Sequence, residues 1–219
     1  MGSMSKTATL TSPEIWSNID DRLRRGDEDR WLSSRYAARA ERQALIALYA
    51  LAYELARVRL VVSEPGLGAI RFQWWRDALD ELASGKKPRA HDVVGALADT
   101  LVEGHFPIEA LQTLVDQYQD AYDASDRASE PEAHLALTAA GVLAPDHGWH
   151  EHIKMLAPQF AALRRREDVG QGPAVPCVPT AIRPAVGHFR LRRLYANQPE
   201  AGRLARRASV FRAVLGGRV

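Results

Sequence analysis

The chain is poor in several features that would otherwise direct its reading. It has one cysteine, Cys177, among 219 residues, so no intramolecular disulfide can form and a reduced, cytoplasmic setting is expected. Cys177 lies between Pro176 and Val178. Nothing beside it in sequence would lower its pKa, so it reads as an inert thiol and not as a nucleophile. No apolar run approaches the roughly 18 residues of a membrane-spanning helix. Neither a phosphate-binding glycine loop nor a serine nucleophile elbow occurs, which removes the sequence case for nucleotide binding and for serine hydrolysis. Strand alternation, hairpin signals and internal repeats are missing too. Lysine is absent from residues 164–219, where twelve arginines face three acids, a net charge of +9. With +2 for the whole chain, residues 1–163 carry −7.

That asymmetry has two readings. The arginines either pair with the acidic part of the same domain or meet an anionic partner, such as an acidic protein or a lipid headgroup. Alternation of Leu191, Leu194, Leu204 and Val210 with arginines suits a helix on a membrane surface, at the inner face of a membrane. No nucleic-acid motif accompanies the charge, so nucleic acid is not expected.

What the chain does have is helical periodicity. Hydrophobic residues make up 46% of it, enough for the core of one domain. Met1–Ser3 reads as a cloning leader before a native Met4, and one helical domain is expected over residues 12–219. Ser12-Pro13-Glu14 is a helix start, with Ser12 as cap and Pro13 in the first turn, and the first helix should reach about residue 25. Further helices are predicted at about 27–36, 38–62, 67–85, 91–103, 107–124, 131–143, 148–166, 179–195 and 200–215. In the third, Leu45, Leu48, Leu51, Leu55 and Val58 recur at three- and four-residue spacing. The stretch 168–179, with three prolines and two glycines, is the one long irregular segment. The fold class is all-α.

Few residues suggest chemistry. His147, His150 and His152 could supply zinc ligands, but i and i+2 do not share a helix face, so a solvated helix start fits better. Carboxylates at i, i+3 or i+4 can share a Mg²⁺ ion. Two stretches offer that spacing: Asp77, Asp80 and Glu81, and Asp116, Asp120 and Asp123. Each also reads as the wet face of an amphipathic helix. Trp74 and Trp75 are about 100 degrees apart on a helix, so one should pack inward and the other toward a neighbouring helix or the surface.

One stretch carries a resemblance. "RQALIALYAL", residues 42–51, resembles the first catalytic helix of the squalene/phytoene synthase family, through Arg42, Ala44, Ala47, Leu48, Tyr49 and Ala50. "ELARVR", "SEPGLGAIRFQWWRDAL" and "VPTAIRPAVGHFRLRRLY" are similar to a branch that includes a mitochondrial assembly factor for respiratory complex I and its bacterial relatives. The resemblance covers about residues 28–219 and implies an isoprenoid synthase fold, shortened relative to the family. It also implies head-to-head joining of prenyl diphosphates, with Mg²⁺ held by an aspartate-rich D-x-x-x-D on the same helix.

Those aspartate positions fall on Ala56 and Leu60, with Arg57, Val58 and Arg59 between them. A second aspartate-rich motif is also missing: residues 150–179 offer only Glu151, Glu167 and Asp168, without paired acids at helical spacing. A diphosphate leaving group needs its charge neutralised, and arginines cannot hold Mg²⁺. The expectation is therefore a family member without metal-dependent prenyl transfer and without a cofactor. It would bind an anionic lipid or prenyl diphosphate, or act as an assembly-factor-like helper. Arg42, Tyr49, Tyr53, Arg57 and Arg59 are its expected ligand-binding residues. The alternative is an active farnesyl or geranylgeranyl diphosphate-joining enzyme whose Mg²⁺ site has moved to Asp77, Asp80 and Glu81 or to Asp116 and Asp120.

Overall fold

A computed structural model describes residues 11–62, 64–167, 169–170, 172 and 174–219. Met1–Ser3 lies outside these residues. The described residues contain helices and no strand.

Helix α1 spans Pro13–Gly26, with the Ser12 side chain accepting from the Ile15 amide at 3.4 Å. Helix α2, Glu28–Ser34, follows after one residue. That residue, Asp27, caps it by accepting from the Arg30 amide. Helix α3 covers Arg39–Val61 and is the centre of the bundle: α1, α2, α4, α5, α6 and α7 all pack on it. Its burial runs from Ala44 to Ala52 without a polar face, and continues at Leu55 and Val58. A helix that is apolar around its circumference can lie only in the middle of a bundle.

Around it stand α4 (Pro65–Ala83), α5 (Asp92–Val102), α6 (Ile108–Asp123), α7 (Glu132–Leu143) and α8 (His150–Arg164). α4 packs on α6, and α7 on α8. Trp75 is buried while Trp74 is half-buried, and both meet the His91 ring edge-on at the start of α5. The two tryptophans thus divide as their 100-degree separation requires.

The predicted helix at 179–195 is not continuous. It forms a 3-10 turn (Thr180–Ile182), α9 (Arg183–Val186), a second 3-10 turn (Gly187–Arg190) and α10 (Leu191–Asn197). Pro184 has no amide to donate to a preceding turn. Gly187 lies where a Cβ would stand 2.9 Å from Val214 and 3.0 Å from Ser33. The close approach of the chain to α2 there excludes a side chain and favours tight turns over a regular cylinder.

Helix α11, Arg203–Gly216, closes the fold against α2 and the second 3-10 turn. Its inner face is Val210 and Ala213. Gly217 ends it in the left-handed conformation at φ 68°, and a Cβ there would meet the Arg183 guanidinium at 2.7 Å. That guanidinium donates to the carbonyls of Val214 and Leu215, the exposed acceptors of the last turn.

Candidate functional site

A small cavity of about 90 Å³ opens between α2, α3, α6, α8 and the loop before α7. Its walls include Ala52, Tyr53 and Ala56 of α3, and Tyr118 of α6. Its charged lining is four arginines (Arg30, Arg127, Arg164, Arg165) and three carboxylates (Asp27, Glu130, Glu132).

The floor is one ionic network. Arg30 is buried, donates to Asp27 Oδ2 at 2.5 Å, and donates to Glu132 Oε2. Its guanidinium lies 6.0 Å from the Tyr49 ring centre and 5.6 Å from that of Phe160, within range of cation–π attraction. Arg164 donates to the other oxygen of Asp27 at 2.7 Å. Burial would raise the Asp27 carboxyl, but Arg164 and Arg30 outweigh it and hold it well below the usual range. Burial likewise works against the charge on Arg30, and Glu132 and Asp27 reverse the effect, so it stays charged. The third acid, Glu130, is 3.2 Å from Arg59 and 3.7 Å from Arg127. Burial dominates at this carboxyl and pushes it up.

The network extends through α2 to the C-terminal helices. Asp29 accepts from the Tyr195 hydroxyl at 2.5 Å and from Arg206 at 3.1 Å, and Arg206 also bonds Glu28. The acid run 27–29 is thus bonded from α8, α10 and α11 at once, by arginines of α8 and α11 and by the neutral Tyr195 hydroxyl of α10.

Each expected ligand-binding residue has a definite place. Tyr53 lines the cavity. Arg59 reaches its rim through Glu130. Arg57 lies over the Tyr53 ring at 5.4 Å and 3.9 Å from Glu54. Tyr49 is buried below the cavity, where its hydroxyl donates to the Ala185 carbonyl at 3.1 Å. Burial pushes that hydroxyl up, leaving a neutral packing group. Arg42 is half-buried on the first turns of α3 and does not line the cavity.

The alternative carboxylates lie elsewhere, mostly along the α4–α6 seam. Arg76 donates to Asp116 at 2.7 Å, Gln112 to Asp80 at 2.6 Å, and Arg89 makes two bonds to Glu81 at 2.7 and 2.9 Å. Asp77 accepts from Gln73 and lies 3.8 Å from Arg89, and Asp120 is exposed. None of them lines the cavity. His147 and His150 stack at 4.2 Å while His152 stacks on Trp149, so the three imidazoles do not converge. Among the described residues, no group of three or more His, Cys, Asp or Glu is arranged to hold a metal ion.

Sequence patterns do not single out Asp27, Arg30, Glu132 or Arg164 as site residues. A weak signal existed in "GDEDR", where Asp27 and Arg30 are three apart, a spacing that brings side chains together on a helix. Nothing local points Arg30 at Glu132.

The position of Ala56 matters most for chemistry. It faces the cavity, and Leu60, one turn further on, is 75% exposed; these are the two positions where the sequence resemblance would put metal-binding aspartates. The acids that do reach the cavity are each paired with guanidinium groups. These residues do not suit Mg²⁺, which needs oxygen ligands free to neutralise it.

A search of curated proteins and a search of solved structures each returned no match. The family model described as squalene/phytoene synthase matches residues 23–147, from the end of α1 to just past α7. The match takes in α3 and the loop carrying Glu130, and stops short of α8 to α11. The chain therefore belongs to the squalene/phytoene synthase family, and its all-α fold is of the isoprenoid synthase type.

Proposed function

We propose that this protein binds where its relatives catalyse: it has lost metal-dependent prenyl transfer and serves as a helper that takes an anionic, phosphate-bearing ligand at the mouth of the cavity. One observation carries the reading. The Arg30 guanidinium lies at the cavity floor between Asp27 and Glu132, while Ala56 stands in the wall, where the sequence resemblance would put a metal-binding acid. A fixed internal cation thus takes up carboxylates that would otherwise be open to a metal.

Size and charge support the same conclusion. Binding pockets for drug-sized molecules run to roughly 300–1,000 Å³, whereas this cavity of about 90 Å³ suits a headgroup and not a prenyl chain. Four arginines against three carboxylates leave a surplus positive charge, and Arg127 is more than half exposed at the mouth. Guanidinium groups pair with phosphate oxygens in a bidentate fashion. A prenyl diphosphate or an anionic lipid would place its headgroup there and its chain outside the bundle. The resemblance to the complex I assembly branch supports a helper role for such binding.

The test is calorimetric titration of the purified protein with farnesyl diphosphate, alongside a pyrophosphate-release assay with Mg²⁺. Expected are saturable binding, weakened about tenfold by Arg127→Ala with Arg165→Ala, and no release above background. Steady release abolished by Asp77→Ala or Asp116→Ala would establish the active-enzyme alternative. Absence of binding would remove the ligand assignment.

A further inference from the structure

The outward face of α11 carries an apolar strip between arginines. Leu204, Phe211 and Leu215 are 83%, 47% and 64% exposed. With exposed Ala208 they form a stripe at i, i+4, i+7 and i+11, one side of the helix from end to end. Such a contiguous apolar strip is distinct from the single exposed leucines found on any protein. Tyr36, itself 43% exposed, lies with its ring centre 6.3 Å from that of Phe211 and widens the strip.

The charge around the strip is predominantly positive. Arg190, Arg193, Arg212 and Arg218 have no carboxylate within 4 Å among the described residues, and Arg190 donates instead to the Arg218 carbonyl. Burial and then the three neighbouring arginines work against the Arg190 charge. Arg193, Arg212 and Arg218 are exposed. Toward the other end, Arg203 and Arg207 share the single acid Glu28, at 3.8 and 3.9 Å, and Glu28 is already bonded to Arg206. Clustered like charges oppose folding unless something anionic balances them. The helix is nevertheless tied to the bundle, by its Arg206 bonding Asp29 and Glu28 of α2 and by Arg183 at its last turn.

We infer that this face of α11 is a docking surface for a bilayer rich in anionic lipid. Leu204, Phe211 and Leu215 would enter the headgroup–acyl boundary, with the arginines on lipid phosphates. The combination selects the partner: a nucleic acid would use the arginines and leave the apolar strip in water, while a bilayer satisfies both. No described helix is long and apolar enough to cross a membrane, so the contact is peripheral. The surface is separate from the cavity mouth and does not depend on what binds there.

The experiment is vesicle co-sedimentation of the full chain. Vesicles of phosphatidylcholine alone are compared with vesicles containing about 30 mol% phosphatidylglycerol, at about 50 and about 500 mM salt. Expected is binding to the anionic vesicles at low salt, at least tenfold tighter than to neutral ones and weakened at high salt. Two variants are compared, Leu204→Gln/Phe211→Ser/Leu215→Gln and Arg193→Glu/Arg212→Glu/Arg218→Glu. All six side chains are exposed, so helical circular dichroism should be unchanged, and each variant should lose binding at least tenfold. Failure to bind anionic vesicles at low salt overturns the inference. It is equally overturned if the apolar variant binds as well as the parent, which would reduce the contact to general polyanion attraction. A dimer in sedimentation that Phe211→Ser dissociates, with no vesicle binding, would assign the strip to a second copy of the chain instead.

Discussion

Arg30 and Glu132 are 102 positions apart in the chain, yet the guanidinium of one donates directly to the carboxylate of the other at the buried floor of the cavity. The bond ties α2 to α7 across the face of α3. Glu132 has no other ion-pair partner among the described residues, whereas Asp27 also has Arg164.

Replacing Arg30 should therefore be costly. Arg30→Met removes the cation and leaves a buried carboxylate without compensation, which costs about 3–5 kcal/mol. Arg30→Lys should recover little, because one ammonium cannot span two acids as a planar guanidinium does. Glu132→Gln, which keeps the shape and one acceptor, should cost less than Arg30→Met. Urea unfolding of the three variants gives the ranking, and an Arg30→Met protein as stable as the parent would contradict it.

Placing an acid at position 56 should not create a metal site. In Ala56→Asp the new carboxylate would share the cavity with Arg30, Arg127, Arg164 and Arg165, and pairing with guanidinium is the immediate outcome. Expected are no Mg²⁺-dependent pyrophosphate release and weaker binding of farnesyl diphosphate than in the parent. Titration with and without Mg²⁺ measures both.

His188 sets a pH dependence. Its ring is wedged between Phe160 and Phe189, with neither nitrogen hydrogen-bonded. Burial, then the charge of Arg30, push its imidazole well below the ordinary value, while Asp27 pulls the other way and Arg164 pushes it further down. The folded protein thus holds it neutral, and the unfolded chain protonates it below about pH 6.5. Stability from this group is fully present above that pH and is lost as pH falls, by up to about 1.4 kcal/mol per unit. His188→Phe removes both the titration and two unpaired buried nitrogens. Denaturant midpoints between pH 7 and 5 should fall less steeply in the variant, and equal slopes would exclude this role.

Gly26 holds the cavity wall in place. A Cβ there would lie 2.3 Å from the Tyr53 ring, the ring that lines the cavity and carries Arg57 over its face. Gly26→Ala must displace Tyr53 and should cost about 1–3 kcal/mol, as overpacking does. Gly26→Ala combined with Tyr53→Leu should recover part of that loss in thermal unfolding. No recovery would mean that the contact is not the cause.

The sequence by itself determined the all-α class, the positions of most helices and the absence of the expected acids. These are local properties. A helix is announced by apolar residues three and four apart and ended by proline or glycine. Leu45, Leu48, Leu51, Leu55 and Val58 therefore mark α3 as the core helix without reference to any other part of the chain. Ala56 and Leu60 are likewise read by position along one helix. The tertiary structure alone decided which charges meet. Asp27 finds Arg164 across 137 residues and Asp29 finds Arg206 across 177, and no periodicity encodes such pairs. Among the C-terminal arginines it set Arg164 and Arg206, paired with the acidic run 27–29, apart from Arg193, Arg212 and Arg218, left beside the apolar strip of α11 with no carboxylate within 4 Å among the described residues. It also placed Tyr49 beneath the cavity, with its hydroxyl on Ala185. Helical periodicity states which face of a helix is apolar. What that face meets, and whether a charge is buried with a partner, depends on how the helices pack.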